Sequence, residues 1–219
     1  MKKLFQLLLG ITMIVLCMSC DKLLNKDDPT ELGGDKSAMS EVGVTVSSSS
    51  APIAGVSNLT ATVTSFKDGI STYSGSATIT NPLLKNMVAN FPGVTITGNN
   101  VSITNMQMQQ TTDGIKCITG PGAGVIVKYD SEVGDTYPIG ETGNVRKVVS
   151  KTGVDDFPYG MFLIKTIQVE TNPNTLKSTG GISKITYVAN HKYGLVAVKV
   201  AFDDNTSTTF PVYSSTQNK

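Results

Sequence analysis

Short alternations of apolar and polar residues, separated by turn-forming pairs, run through the chain from Asn58 almost to its C-terminus. In the first of them Leu59, Ala61 and Val63 alternate with threonines. A β-strand points successive side chains to opposite faces, so a period of two predicts strands with one apolar face. The Asp-Gly pair at 68–69 is typical of a tight hairpin turn. The pattern therefore predicts a domain of roughly ten antiparallel strands.

Strands with a single apolar face fit two mainly β architectures. One is a single curved antiparallel sheet, or half-barrel, and the other is a two-layer sandwich with wet outer faces. Curvature is expected near Asn105, because the apolar positions change parity between Ile103 and Met106 and such a change requires a bulge or a bend. In the second half the alternation assigns these side chains to the core: Val125, Val127 and Tyr129; Val145 and Val149; Met161, Leu163, Ile167 and Val169; Ile185, Tyr187 and Ala189; Val196, Val198, Val200 and Phe202; Phe210 and Val212.

One short helix is predicted over residues 81–91. Asn81 supplies an N-cap side chain, and Pro82 suits the first helical position, where a backbone N–H is not needed. The apolar residues of this segment recur at a helical spacing: Leu83, Leu84, Met87, Val88 and Phe91. We expect this to be the one helix of the domain.

The first 19 residues have the composition of a secretory signal peptide. Lysines near the start precede an apolar run over residues 4–18 that is too short for a stable transmembrane helix. Residues 16–20 read LCMSC and resemble a bacterial lipobox, whose last cysteine is acylated and becomes the new N-terminus. The resemblance implies that Cys20 is a lipid anchor, since two or three acyl chains hold a protein firmly on a bilayer. The alternative is an ordinary signal peptide with a free Cys20.

The chain divides into a signal peptide over residues 1–19, a lipidated N-terminus with a tether and an early strand over 20–57, and a β-rich domain over 58–219. Residues 21–40 are polar and interrupted by prolyl and glycyl residues, which favours a flexible tether. Residues 26–28 resemble the signal of surface-exposed lipoproteins in Bacteroidota, whereas Asp21 resembles an inner-membrane retention signal. We expect an envelope protein at the outer membrane, with the choice between its periplasmic and surface faces left open.

Charge and composition exclude several classes of function. The chain has 18 basic and 17 acidic residues, and removal of the two lysines in residues 1–19 leaves 16 against 17, a net charge of −1. Such a balance provides no basic field for nucleic acid. His191 is the single histidine, and Cys117 is the one cysteine after the proposed anchor, too few ligands for a structural zinc site. We expect a buried, inert Cys117, and neither an enzyme nor a metal or cofactor site.

Acidic residues cluster in three predicted turns, at Asp130, Glu132 and Asp135, at 155–156 and at 203–204. Asp is favoured in turns because it bonds to nearby backbone N–H groups, and that role is expected here. Paired carboxylates acting as the acid and base of a hydrolase are one alternative. A polysaccharide-binding module is another, and it would depend on the seven tyrosines because the chain has no tryptophan.

Three segments of the second half share a further resemblance. Residues 129–137 read YDSEVGDTY, residues 155–170 read DDFPYGMFLIKTIQVE, and residues 185–204 read ITYVANHKYGLVAVKVAFDD. In this order they resemble uncharacterised bacterial envelope proteins, many of them lipoproteins, which are similar to the half-open β-barrels of lipoprotein carriers. The resemblance implies an architecture and a compartment, and no chemistry.

The leading hypothesis is a non-enzymatic envelope lipoprotein that binds a lipid-like or protein partner on the concave side of a curved sheet. Met106 and Met108 beside the predicted bend, together with Tyr187, form the candidate ligand surface, because flexible methionines suit adaptable apolar contacts. Ordinary core packing explains these methionines equally well. The expected partners are the membrane, through Cys20, and a lipid, glycan or envelope-protein ligand.

Overall fold

The computed structural model describes residues 28–49, 51–171 and 181–215. Within these ranges it contains sixteen strands, one α-helix and one 3-10 helix, which confirms the predicted mainly β, antiparallel fold with one short helix. The α-helix, α1, spans Pro82–Ala89, and the 3-10 helix spans Ala38–Ser40. The strands are β1 Thr45–Ser47, β2 Val56–Lys67, β3 Ile70–Ile79, β4 Val94–Thr97, β5 Asn100–Gln110, β6 Gly114–Cys117, β7 Gly124–Lys128, β8 Thr136–Ile139, β9 Asn144–Lys151, β10 Phe157–Tyr159, β11 Phe162–Ile164, β12 Ile167–Thr171, β13 Ile182–Asn190, β14 Gly194–Phe202, β15 Ser207–Pro211 and β16 Tyr213–Ser214.

These strands form two large sheets and a two-stranded ribbon. The first sheet has the order β16-β1-β2-β3-β5-β6-β7, with β4 paired to β5, and it curls into a half-barrel. The second sheet has the order β15-β14-β13-β12-β9-β8. Strands β10 and β11 pair only with each other and are called the outer hairpin below. Both predicted architectures therefore contribute, because a curled first sheet packs against a second sheet.

The hydrophobic core lies between the two sheets. One buried cluster joins Ile115 of the first sheet to Val148 of the second. Another joins Val101 of the first sheet to Val200 of the second, with Leu84 of α1 between them. The chain passes from one sheet to the other at both edges, from β7 to β8 and from β15 to β16. Main-chain connections between the two sheets therefore close the core at both edges.

Two local features of the first sheet agree with the sequence. Asp68 and Gly69, between β2 and β3, have φ angles of 51° and 79°, as a type I′ hairpin turn requires. Asn105, inside β5, has a φ of 60°, and the register with β3 shifts there, with Tyr73 opposite Met106 and Gly75 opposite Ile103. The parity change in the sequence thus marks a real β-bulge.

Helix α1 begins where the sequence predicts. The Asn81 side chain accepts hydrogen bonds from the backbone N–H groups of Leu83 (3.0 Å) and Leu84 (3.3 Å), and Pro82 occupies the first turn. Leu84 is buried in the core cluster, and Leu83 and Met87 pack around it. The helix thereby covers one end of the space between the sheets.

Strand β9 reverses the predicted assignment of its two faces. The alternation placed Val145 and Val149 in the core, but the structure buries Arg146 and Val148 and leaves Val149 37% exposed. The prediction was wrong because an arginine can occupy a core position when backbone carbonyls bind its guanidinium, and alternation of apolar residues does not report this. A register shift beside Val149 accompanies the reversal.

Residues 28–47, called the N-terminal segment below, pack against the rest of the chain. Leu32 and Met39 are buried, and Ser40 Oγ donates a hydrogen bond to the carbonyl of Gln110 (2.8 Å). The segment ends in β1, which lies between β2 and β16, with Val46 opposite Ser214. The region assigned to the tether is therefore part of the folded domain from residue 28 onward.

Candidate functional site

The three residues predicted to form a ligand surface are partly buried and pack against the core clusters. Met106 and Met108 pack on the buried cluster of Val44, Val63 and Tyr73. Tyr187 packs against both clusters between the sheets. Met106 packs with Val44 of the N-terminal segment, whereas Met108 and Tyr187 pack with residues of both sheets, so these side chains contribute to core packing.

The proposed anchor, Cys20, lies outside the described residues. The structure therefore bears only on the chain that follows it, beginning at Asp28. Among the described residues, neither helix is long and apolar enough to span a bilayer.

The acidic clusters are engaged in turns. Glu132 pairs with Lys151 (2.9 Å), and Asp155 Oδ1 accepts the backbone N–H of Lys165 (2.9 Å). Asp204 accepts hydrogen bonds from the backbone and hydroxyl of Thr206, which hold the pKa of its carboxyl below the usual value. In the described part of the chain, no three metal-ligating side chains converge.

Cys117 and His191 occupy unrelated environments. Cys117 is buried, and burial raises the pKa of its thiol. Its Sγ donates a hydrogen bond to the carbonyl of Thr119 (3.1 Å). His191 is exposed in the turn between β13 and β14. A thiol held in its neutral form inside the core is a poor nucleophile at neutral pH.

Arg146 is the buried group that the sequence does not reveal. Its side chain is 1% exposed, with Nη1 donating to the carbonyl of Val125 (3.0 Å) and Nη2 to the carbonyl of Gly122 (2.5 Å). The guanidinium carbon lies 5.6 Å from the centre of the Tyr187 ring. Arg146 thus fixes the glycine-rich loop between β6 and β7 to the inner face of β9, which is a structural role.

Two depressions on the described surface are open to solvent. One, of about 220 Å³, lies over β3, β4 and β5. The other, of about 520 Å³, lies between the start of α1 and the turn after β14, with Leu83 and Phe202 beside Asp203 and Asp204. The smaller depression is lined mainly by Ser, Thr and Asn side chains, whereas the larger one has apolar walls beside two turn carboxylates, both of which already accept hydrogen bonds within the protein.

The outer hairpin is fixed to the outer face of the second sheet by its own inner face. Tyr159 and Ile164 are buried against Val188, Val196 and Ala197. The Tyr159 ring lies 5.2 Å from the ring of Tyr193 and 5.5 Å from that of Tyr213, tilted by 35° and 33°. These tyrosines hold the hairpin in place and do not form the flat exposed platform typical of glycan sites.

The base of the outer hairpin is held by hydrogen bonds as well. Asp155 Oδ1 accepts the N–H of Lys165, and Asn190 Nδ2 donates to the carbonyl of Lys165 (2.8 Å). Thr152 Oγ1 accepts the backbone N–H of Thr166 (2.9 Å). The hairpin is therefore attached at its base and along one face.

The far end of this hairpin is apolar and exposed. Met161, Phe162 and Leu163, called the apolar tip below, are 94%, 66% and 57% exposed. The alternation assigned Met161 and Leu163 to one core-facing strand with Ile167, and this prediction was wrong. Gly160 (φ 60°) turns the chain before the tip, and Ile167 belongs to a separate strand, β12. The sequence does contain a signal for the exposed tip, because three consecutive bulky apolar residues follow a turn glycine. A search for alternation with a period of two does not detect such a run.

The N-terminal segment and the outer hairpin both lie beside the turn between β13 and β14. A Cβ placed on Gly194 would lie 3.3 Å from Met39 Cγ and 3.2 Å from Gln110 Oε1. The ring of the neighbouring Tyr193 packs against that of Tyr159, two residues before the tip. The N-terminal segment and the outer hairpin therefore lie at the same end of the sandwich, where β5 ends and β14 begins.

Comparison of this chain with protein-family models, curated proteins and solved structures finds no match.

Proposed function

We propose that the chain is a non-enzymatic lipoprotein of the bacterial outer membrane, anchored through Cys20, whose sandwich contacts a lipid-like partner with the apolar tip. The observation that carries this proposal is the exposure of three consecutive bulky apolar side chains on a firmly held hairpin. Scattered exposed apolar residues are ordinary on protein surfaces, whereas a contiguous group is typical of an interaction site.

The rest of the described surface supports a binding role more than a catalytic one. The carboxylates of Glu132, Asp155 and Asp204 are engaged by a lysine or by nearby backbone and hydroxyl groups in turns. A catalytic pair would need two carboxyl groups facing one cleft at a suitable distance. Asp203 and Asp204 do lie together beside the larger depression, but both already accept hydrogen bonds: Asp203 Oδ2 accepts the backbone N–H of Gly181 (3.2 Å) and Asp204 Oδ1 the hydroxyl of Thr206 (2.6 Å).

Replacement of Cys20 by alanine is expected to abolish lipid attachment. Cells grown with a labelled fatty acid should label the natural protein and Cys117→Ala, but not Cys20→Ala, because only the thiol at position 20 follows the lipobox-like residues. The measurement is the label on the purified protein. Label retained by Cys20→Ala would contradict the proposed anchor.

A photoreactive amino acid in place of Phe162 is expected to form adducts with lipid in living cells. The side chain is 66% exposed and its neighbours are apolar, so the residue that contacts the partner should be this one. Mass spectrometry of the irradiated protein distinguishes a lipid adduct from a protein adduct. A protein adduct as the main product would contradict the lipid-like partner.

A further inference from the structure

We propose that the apolar tip inserts into the interfacial layer of the same bilayer that holds the acyl chains on Cys20, so that the domain is attached at two points and presents one fixed end to the membrane. This inference rests on the proposed function, and it specifies the lipid-like partner as the membrane surface rather than a carried lipid. Three observations support it: the length of the chain before the domain, the position of the tip and its chemistry.

The chain between the anchor and the domain is short. The domain is packed from Asp28 onward, where the Asp28 carbonyl accepts a hydrogen bond from Lys128 Nζ (2.8 Å) and Glu31 pairs with Lys116 (3.2 Å). Only residues 20–27 separate it from the acylated sulfur. Fully extended, eight residues reach about 29 Å, so the domain stays within roughly its own diameter of the bilayer.

The tip lies at the end of the sandwich where this connection is made. Leu32 packs beside Gly114 at the start of β6, and Met39 packs beside Gly194 at the start of β14. Tyr193, next to Gly194, packs against Tyr159 of the outer hairpin. A connection that holds this end near the bilayer therefore also holds the tip near it.

The side chains of the tip suit the interface of a bilayer. Met161, Phe162 and Leu163 carry no charge, and the whole chain without residues 1–19 has a net charge of −1. Insertion should therefore depend on apolar burial and not on anionic lipid. Because its inner face and base are fixed, little ordering is needed when the hairpin inserts.

The anchor makes a weak contact sufficient. A single myristoyl chain binds bilayers with about 10⁴ M⁻¹, and we take the tip to be of similar strength or weaker. Confinement by a connection of only eight residues raises the local concentration to about the millimolar range. For a tip as strong as a myristoyl chain, the inserted state should then predominate about tenfold over the free one, and a weaker tip lowers this ratio in proportion.

The natural chain has no tryptophan, so a single introduced indole reports its own environment. Phe162→Trp is prepared as the mature acylated protein and reconstituted into vesicles of zwitterionic lipid, with or without brominated acyl chains. The matched control is Ile96→Trp on β4, which is 36% exposed and pairs with the opposite end of β5. We expect bromine to quench Phe162→Trp severalfold more strongly than Ile96→Trp.

Equal quenching of the two variants would overturn the inference. A second variant adds Met161→Ser and Leu163→Ser to Phe162→Trp. Bromine should quench its indole only as strongly as that of the Ile96→Trp control. The Met161 and Leu163 side chains are exposed, so folding is not expected to change; strong quenching retained without them would also overturn the inference. The fatty-acid label on the same preparations reports the anchor separately, so labelled protein without tip quenching rejects this inference alone.

Discussion

Replacing Arg146 by alanine is expected to lower the free energy of unfolding by about 3–5 kcal/mol. The substitution removes both hydrogen bonds to the carbonyls of Val125 and Gly122 and leaves a cavity where a fully buried side chain stood. The substitution also removes a positive charge whose burial is itself unfavourable, and this offsets part of the lost stability. In thermal unfolding followed by circular dichroism, the midpoint should fall by about 10 °C.

Two further variants separate the contributions of Arg146. Lys147→Ala, on the exposed face of the same strand, should change the free energy by less than about 0.5 kcal/mol. Arg146→Met keeps most of the aliphatic stem and removes the buried charge, so its cost should be clearly smaller than that of alanine. An Arg146→Ala protein as stable as the natural one would show that the loop carbonyls do not depend on this side chain.

Gly114→Ala is expected to cost at least about 3 kcal/mol, because the new methyl group has no space. A Cβ at this position would lie 2.1 Å from the carbonyl oxygen of Val127 and 3.0 Å from Leu32 Cδ1. To make space for the methyl group, β6 and β7 would have to separate and the N-terminal segment would have to move. Urea unfolding should show a lower midpoint, and the outcome reports whether the N-terminal segment is coupled to the sheet.

Gly153→Ala is the matched control for this substitution. Its Cβ would meet nothing within 4 Å, and its backbone is not in the left-handed region. The added methyl group should leave stability unchanged or raise it slightly, since alanine restricts the unfolded chain. If Gly114→Ala were equally harmless, the close approach of β6 to β7 would not be a constraint on the fold.

Features encoded by local chemistry could be predicted from the sequence. Asn81 followed by Pro82 marks the start of α1, because both residues act on the backbone within one turn. The hairpin turn at 68–69 and the bulge at Asn105 likewise depend on residues close in the sequence. The alternation also identified the class of fold, since one apolar face per strand requires an antiparallel sheet with a covered side.

Features that depend on distant partners could not be predicted in this way. The N-terminal segment is polar and looked like a tether, yet Ser40 bonds to Gln110, 70 positions away, and Leu32 fills a space beside Gly114. Arg146 faces the core because carbonyls of another strand and loop receive it. Composition does not report such pairings.

The environments of the candidate-site residues also depend on distant contacts that the sequence does not report. Met106 and Met108 were chosen for their flexibility, but Met106 packs with Val44 of the N-terminal segment and Met108 packs with residues of the second sheet. Alternation within one strand does not indicate which distant segment will cover a face. The exposure of the apolar tip was not predicted, because Met161 and Leu163 match the pattern of a core-facing strand. Only the separation of β11 from β12 places them in solvent.

The pairing of β1 with β16 has a consequence for when the chain can fold. Val46 lies opposite Ser214, so the first sheet gains its last strand only when residues near both ends of the described chain are present together. Contacts between residues so far apart in sequence close slowly, because the loop entropy is lost before the contact forms. A partly synthesised chain would therefore stay open along this edge until β16 is present.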